Sequence, residues 1–239
     1  MDDAELARRS ILGFGEMLAV LGRWSAGPES EVRWPNAMGA RIDAAGENPW
    51  FNAAVVPIGA TPPADDPRLP HCVWTVENSA SGRVEEIGIS TPCLGVALDD
   101  PSLRLDDGAP DVEIPSLEVL GDINERAYGE IGVFSRLVSA MRDDRVRTYG
   151  LLDQGRFVCT ALSLVVGDDF SIHYVATEAS HRRRGFASRL LLAMMAVARA
   201  ERLRTATLQA SPEGLPIWER LGFRRVATLR GFLRSTLGR

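Results

Sequence analysis

The chain has 239 residues, 45% of them hydrophobic and 25% charged, with a formal net charge of −5. That is ordinary globular composition, enough for one large domain or two small ones. No apolar run approaches the roughly 18 residues of a membrane span, and the acidic opening (Asp2, Asp3, Glu5) is unlike a signal peptide, so a cytoplasmic protein without membrane contact is expected.

Residues 3–22 (DAELARRSILGFGEMLAVLG) predict an amphipathic helix. Leu6, Ile11, Phe14, Met17, Leu18 and Leu21 keep near-helical spacing, while Gly13 and Gly15 weaken the pattern. From about Val32 the chain breaks into short apolar runs. Residues 50–57, 72–76, 84–89 and 94–98 read as strands. Residues 58–70 hold four prolines and predict a loop, and the aspartate- and proline-rich residues 99–115 predict a linker.

The second half has sharper punctuation. Residues 116–128 predict a helix with Ser116 as N-cap, and residues 134–142 a second one. Strands follow at 146–152, 156–166 and 170–176, joined by Asp153-Gln154-Gly155 and Gly167-Asp168-Asp169, which makes an antiparallel meander. A helix from about Ser188 to Ala200, a strand at 205–209, a short helix at 212–220 ending at Gly222 and a final strand from Phe223 complete the order ααβββαβαβ. The strand at 205–209 should run parallel to the one before it, because a helix connects them. The expected domains are residues 1–110 and 111–239. The first holds 17 acidic and 8 arginine residues, net −9. The second holds 15 and 19, net +4, which suits an anionic ligand there.

One stretch gathers these signals. A strand ends in Val175-Ala176-Thr177, the basic run His181-Arg182-Arg183-Arg184 follows, and Gly185 leads into a helix. Strand, basic glycine-containing loop and helix N-terminus bring unpaired N–H groups and the positive helix end onto an anion. The same basic run also reads as a solvated surface turn or a nucleic-acid patch. The second half is too weakly basic, with too few interleaved aromatics, to suggest nucleic acid.

With its flanks, the stretch resembles the Gcn5-related N-acetyltransferase (GNAT) superfamily. Arg182-Arg183-Arg184-Gly185-Phe186-Ala187 matches the family's motif of Gln or Arg, two residues, Gly, one residue, then Gly or Ala. VAT precedes it, and LQAS and PIWERLGF follow it in order, so the resemblance covers about residues 116–232. It implies an α+β layered fold: a mixed central sheet with an antiparallel meander and splayed parallel strands, flanked by helices. It implies acetyl-CoA as the cofactor. Val175 and Thr177 would lend backbone groups to the pantetheine arm. Arg182, Arg183, Arg184, Gly185, Phe186, Ala187 and Ser188 would cradle the pyrophosphate, with Gly185 allowing close backbone approach. Ser211 stands where the family often has a cofactor-contacting asparagine. Trp218 stands where many members have a tyrosine that protonates the departing thiolate, and an indole N–H is a donor but not a usable acid.

The chemistry is less marked. Ser171 aligns with a glutamate that serves some members as base. His173, on the same face of the strand, is a candidate base or substrate contact, or a half-buried strand histidine. Glu178 at the loop mouth, and Asn124 and Tyr128 on the first helix of the second half, are lesser candidates. The chain has no lysine, which excludes a Schiff-base mechanism, and no cysteine falls in the motif region, which disfavours an acyl-enzyme. Cys72, Cys93 and Cys159 are too dispersed for a metal site. The first half has no such loop. A degenerate GNAT-like repeat or an unrelated α+β cap fits it, with Trp50, Phe51 and Trp74 as core or as an aromatic wall. The expected function is acetyl transfer from acetyl-CoA to a primary amine of a small molecule or peptide by direct attack. A CoA-binding regulatory or scaffold protein with little or no catalysis is the competing expectation. The acceptor is open, and a homodimer is one open arrangement.

Overall fold

Asp2 starts the first helix by accepting the Glu5 N–H at 2.8 Å, and Gly27 ends it, so α1 runs Asp3–Ala26, one turn longer than its apolar spacing predicts. The computed structural model describes residues 1–60, 66–76, 84–103, 105, 112–129 and 132–234. Parts of the expected proline-rich loop (61–65) and of the linker (104 and 106–111) lie outside them.

The strands of the first half are β1 (Glu31–Trp34), β2 (Ala37–Ala40), β3 (Ala53–Val55), β4 (Cys72–Thr75) and β5 (Val84–Ala97). The two short strands expected at 84–89 and 94–98 are one. Ser90-Thr91-Pro92 reads as a break, but Pro92 falls just outside the ladder with the strand at 205–209, so its missing N–H costs that ladder no bond. The second half gives α2 (Leu117–Tyr128), α3 (Phe134–Ser139), β6 (Val146–Asp153), β7 (Arg156–Val166), β8 (Asp169–Thr177), α4 (Phe186–Ala200), β9 (Thr205–Gln209), α5 (Leu215–Arg220) and β10 (Arg224–Arg234), in the expected order. Ser116 caps α2 as predicted, accepting the Val119 N–H at 3.2 Å.

All ten strands join one mixed sheet in the order β1-β2-β3-β4-β10-β5-β9-β8-β7-β6. β3/β4 and β8/β9 are parallel, and the other pairs are antiparallel. β5, from the first half of the chain, lies between β9 and β10 of the second, so the sheet has no break where residue 110 divides the sequence.

The two faces bury different cores. α4 packs on one face: Leu190, Leu191, Met194, Met195 and Ala198 meet Phe170, Ile172, Leu208 and Trp218. Val197, on the same helix, is exposed. α1, α2 and α3 cover the other face, where Ile11, Phe14, Leu18, Leu120, Phe134 and Leu137 pack with Trp74, Leu162 and Leu164. Gly13 is what lets α1 lie so close: a Cβ there would run into the Ser171 hydroxyl. Ser10 Oγ donates to the Leu208 carbonyl at 2.9 Å, and Gln209 Nε2 donates to Ser10 O at 2.9 Å, so α1 is stitched to β9.

Candidate functional site

The site grows from a strand that loses its neighbour. β8 pairs with β9 only from Asp169↔Thr205 to Ile172↔Leu208. Beyond that point Tyr174 takes φ +52, the register against β7 shifts between Thr160 and Leu162, and residues 173–177 continue without β9. Glu178 N–H bonds to Val158 O on the β7 side. Backbone groups alternate along a strand, so Val175 and Thr177 point theirs into the gap on the β9 side.

The loop closes the gap at one end. Residues 179–181 make a single 3-10 turn, Arg182 is extended, Arg183 takes φ +63, and Gly185 takes φ +79 as N-cap of α4. The first bond that α4 makes on its own is Arg189 N–H to Gly185 O at 3.1 Å. The N–H groups of Phe186, Ala187 and Ser188 precede it and face outward at the positive helix end. An added Cβ at Gly185 would meet nothing within 4 Å. The need for glycine there comes from its left-handed backbone, and the open space in front of it is where an anion would rest.

The arginines do different jobs. Arg182 Nη2 donates to Ala127 O at 2.7 Å and its Nε to Thr177 O at 3.3 Å, so it lies back across the gap. Arg184 pairs with Asp153 at 3.1 Å and lies 5.3 Å over the buried Phe186 ring, with Arg189 at 5.5 Å from that ring. His181 Nε2 is 3.3 Å from the same Asp153 carboxylate. A cleft of about 550 Å³ lined by Asp153, Arg156, His181 and Arg184 lies beside the loop. Asp153 reads in the sequence only as a hairpin turn, and nothing local to it signals that it would brace a loop from β8.

Other candidates fall less simply. Ser211 spends its hydroxyl inside the chain, accepting Gly214 N–H at 3.2 Å ahead of α5. Trp218 is 5% exposed, in the core under α4, edge-on to Phe223 at 5.3 Å. His173 is 8% exposed, and its Nε2 is 2.9 Å from Ser171 Oγ. Burial pushes its pKa down to about 3, so the imidazole is neutral and a poor proton acceptor at physiological pH. That is unlike the near-neutral base expected there. Asn124 donates to Tyr174 O at 3.0 Å, and Glu178 is ion-paired with Arg126 at 2.6 Å. Tyr128 donates its hydroxyl to Val175 O at 3.0 Å. Glu125, unremarked in the sequence, is a buried carboxylate on α2, but it is committed to Gly132 N–H and Ser135 N–H, both at 2.8 Å. Cys159 takes a hydrogen bond from Thr177 at 3.2 Å, and burial pushes its thiol up to about 11. Trp74 and Phe51 are core, while Trp50, at 37% exposure, packs at a tilt against Trp74 at 4.7 Å.

This arrangement fits a ligand with an extended, amide-bearing arm and a pyrophosphate. The arm finds strand-edge backbone that β9 does not pair, its Val175 and Thr177 carbonyls held by the Tyr128 and Arg182 side chains, and the phosphates find helix N–H groups with arginines around them.

The comparisons agree with the geometry. Residues 117–223 match the family model "Acetyltransferase (GNAT) family". Among curated proteins no sequence matches the chain. A GNAT-family protein from Novosphingobium aromaticivorans is 21% identical with a TM-score of 0.57, over 92% of this chain and 97% of its own. A GCN5-related N-acetyltransferase from Kribbella flavida is 17% identical with a TM-score of 0.61, over 94% and 95%. These likenesses carry the fold, and the family model covers residues 117–223, less than half of the chain. Residues 117–223 are thus similar to the GNAT acetyltransferase family, and the fold is shared with GNAT structures over most of the chain.

Proposed function

We propose that the chain moves an acetyl group from acetyl-CoA to a primary amine of a small molecule or peptide by direct attack. The observation that carries this reading is the free edge of β8 at 173–177 opening onto the N-terminus of α4. Val175 and Thr177 hold the pantetheine arm through their backbone. Gly185, Phe186, Ala187 and Ser188 hold the pyrophosphate, with Arg182, Arg183 and Arg184 adding charge-assisted bonds. A backbone N–H on that edge polarises the thioester carbonyl. Residues 111–239 act as the cofactor-binding half and residues 1–110 as its support.

The attacking amine must be neutral. Glu125 is committed to backbone N–H groups and Glu178 to Arg126, so neither is free to take its proton. His173 serves as a neutral contact on the acceptor side. Water at the open cleft takes the amine proton. The buried, neutral His173 and the core position of Trp218 also favour a second reading, a CoA-binding protein with little catalysis.

Gly185→Glu tests the site. A side chain at φ +79 strains the loop, and its carboxylate repels phosphate. Calorimetry should show roughly a 100-fold loss of acetyl-CoA affinity, about 3 kcal/mol, with unchanged far-ultraviolet dichroism. Unchanged affinity removes the assignment. Thiol release from acetyl-CoA across a panel of amines separates the two readings: tight binding without turnover on any amine leaves the regulatory one.

A further inference from the structure

The edge of β8 that β9 leaves unpaired is not bare. Its Val175 carbonyl accepts the Tyr128 hydroxyl at 3.0 Å, and its Thr177 carbonyl accepts Arg182 Nε at 3.3 Å. Both ties lead to the last turn of α2. Tyr128 is the final residue of that helix, and Arg182 Nη2 donates to Ala127 O at 2.7 Å. Ala127 O is one of the carbonyls at the end of α2 that the helix itself leaves without a partner, at its negative end, where a guanidinium is well placed. One turn back, Asn124 donates to Tyr174 O at 3.0 Å. The end of α2, with Arg182 folded across to it, thus takes up the carbonyls of β8 at 174, 175 and 177.

The partners of Arg182 set it apart from other arginines around the loop. Arg184 is paired with Asp153 and Arg126 with Glu178, whereas among the described residues no carboxylate pairs with Arg182. It is held by neutral carbonyls alone. A phosphate offers it opposite charge and a two-pronged contact, which two separate carbonyls do not. Arg182 is exposed, on extended backbone three residues ahead of Gly185, so its side chain has room to turn from the gap toward the start of α4. We infer that Arg182 is a specificity-determining residue: it closes the β8 edge to an arm without phosphates and opens it for an arm that carries a pyrophosphate. The inference rests on the acetyl-CoA reading of that edge and of the loop. The pyrophosphate draws the guanidinium away from Thr177 O, and the carbonyl is released to the amide N–H groups of the arm behind it.

The test titrates the full-length chain with coenzyme A and with pantetheine, which has the arm and no phosphate. Wild type is compared with Arg182→Met, which keeps an apolar stem and removes every donor. Arg182→Met should bind pantetheine about fivefold more tightly, followed by amide shifts in NMR, because Thr177 O stands open. It should bind coenzyme A about tenfold more weakly by calorimetry, because the phosphates lose a guanidinium. A merely structural role would move both affinities in the same direction. Pantetheine binding that is unchanged, weaker, or undetectable in both proteins overturns the inference and leaves the cofactor reading standing. A gain for pantetheine without a loss for coenzyme A makes Arg182 a plain plug and overturns its selectivity. No coenzyme A binding to wild type overturns the cofactor reading and this inference with it.

Discussion

At the loop end of the cleft, the groups proposed to meet a ligand are backbone N–H groups at the start of α4, posed by left-handed residues at Arg183 and Gly185. Further along β8, side chains from remote segments meet. Phe51 stacks on Phe134 at 5.4 Å, Phe134 packs on Tyr174 at 4.4 Å, and α1 rests on Ser171 through Gly13. Gln209 reaches Ser10 across 199 residues. Local conformation shapes the loop before α4, whereas this packing around β8 exists only when the first half of the chain is folded onto the second. The two ends should therefore respond to mutation differently.

The largest break removes the first half. A chain beginning at residue 111 loses β5 from between β9 and β10 and uncovers Leu120, Phe134, Leu162 and Leu164 where α1 and its neighbours lay. Open strand edges and exposed core predict aggregation and no cooperative thermal transition by circular dichroism. A soluble fragment that melts cooperatively would mean that the second half carries its own core. Gly13→Val is the next step down. The helix gains propensity from losing a glycine, but the new side chain collides with Ser171 beneath it. A net loss of about 3 kcal/mol by urea denaturation is expected, with acetyl-CoA affinity within a few fold once the protein is folded.

The same contrast governs what could be read from residues alone. α2 through β10 follow from local pattern: Ser116 as a cap, Gly155 and Gly167 as turns, and apolar alternation along β7. The strand, loop and helix around Gly185 were legible because their parts are contiguous. The insertion of β5 was not, since strand partners are set by long-range packing and Pro92 argues locally for a break. Tyr128 was legible only as a cleft residue, because its bond to Val175 spans 47 positions. His173 shows the opposite failure. Its alternation on β8 was right, but nothing local to it reports the depth of burial that leaves it neutral.

Beneath α1 lies a buried carboxylate. Asp169 accepts the Thr205 hydroxyl at 2.5 Å and the Thr207 hydroxyl at 2.6 Å, and burial pushes its pKa up to about 6 in spite of them. Its ordinary value is near 4. Between those two values the folded chain binds a proton that the unfolded chain has released, so this group's contribution to stability falls as pH rises through the window. Above it, the ionised buried group is a standing cost. Asp169→Asn should therefore be more stable than wild type at pH 8, on the order of 2 kcal/mol. The gain should shrink to nothing near pH 4. Thermal melts of both proteins across that range measure it. A gain that is constant with pH would place the effect in packing rather than in charge.

The smallest effect lies where the two ends touch. Arg126 on α2 pairs with Glu178 at the start of the loop at 2.6 Å, with side chains 56% and 22% exposed. If the loop is shaped by its own backbone, this tie adds little. An exposed pair of this kind contributes about 0.5 kcal/mol. Glu178→Gln should then lower the melting temperature by about 1–2 °C in low salt, with the difference fading in 1 M salt, where charges are screened within about 3 Å. Acetyl-CoA affinity should stay within twofold, about 0.4 kcal/mol. A tenfold loss of affinity would mean that α2 poses the loop from outside. The proposed cofactor loop would then depend on long-range contacts as the packing around β8 does, and the contrast between them would fail.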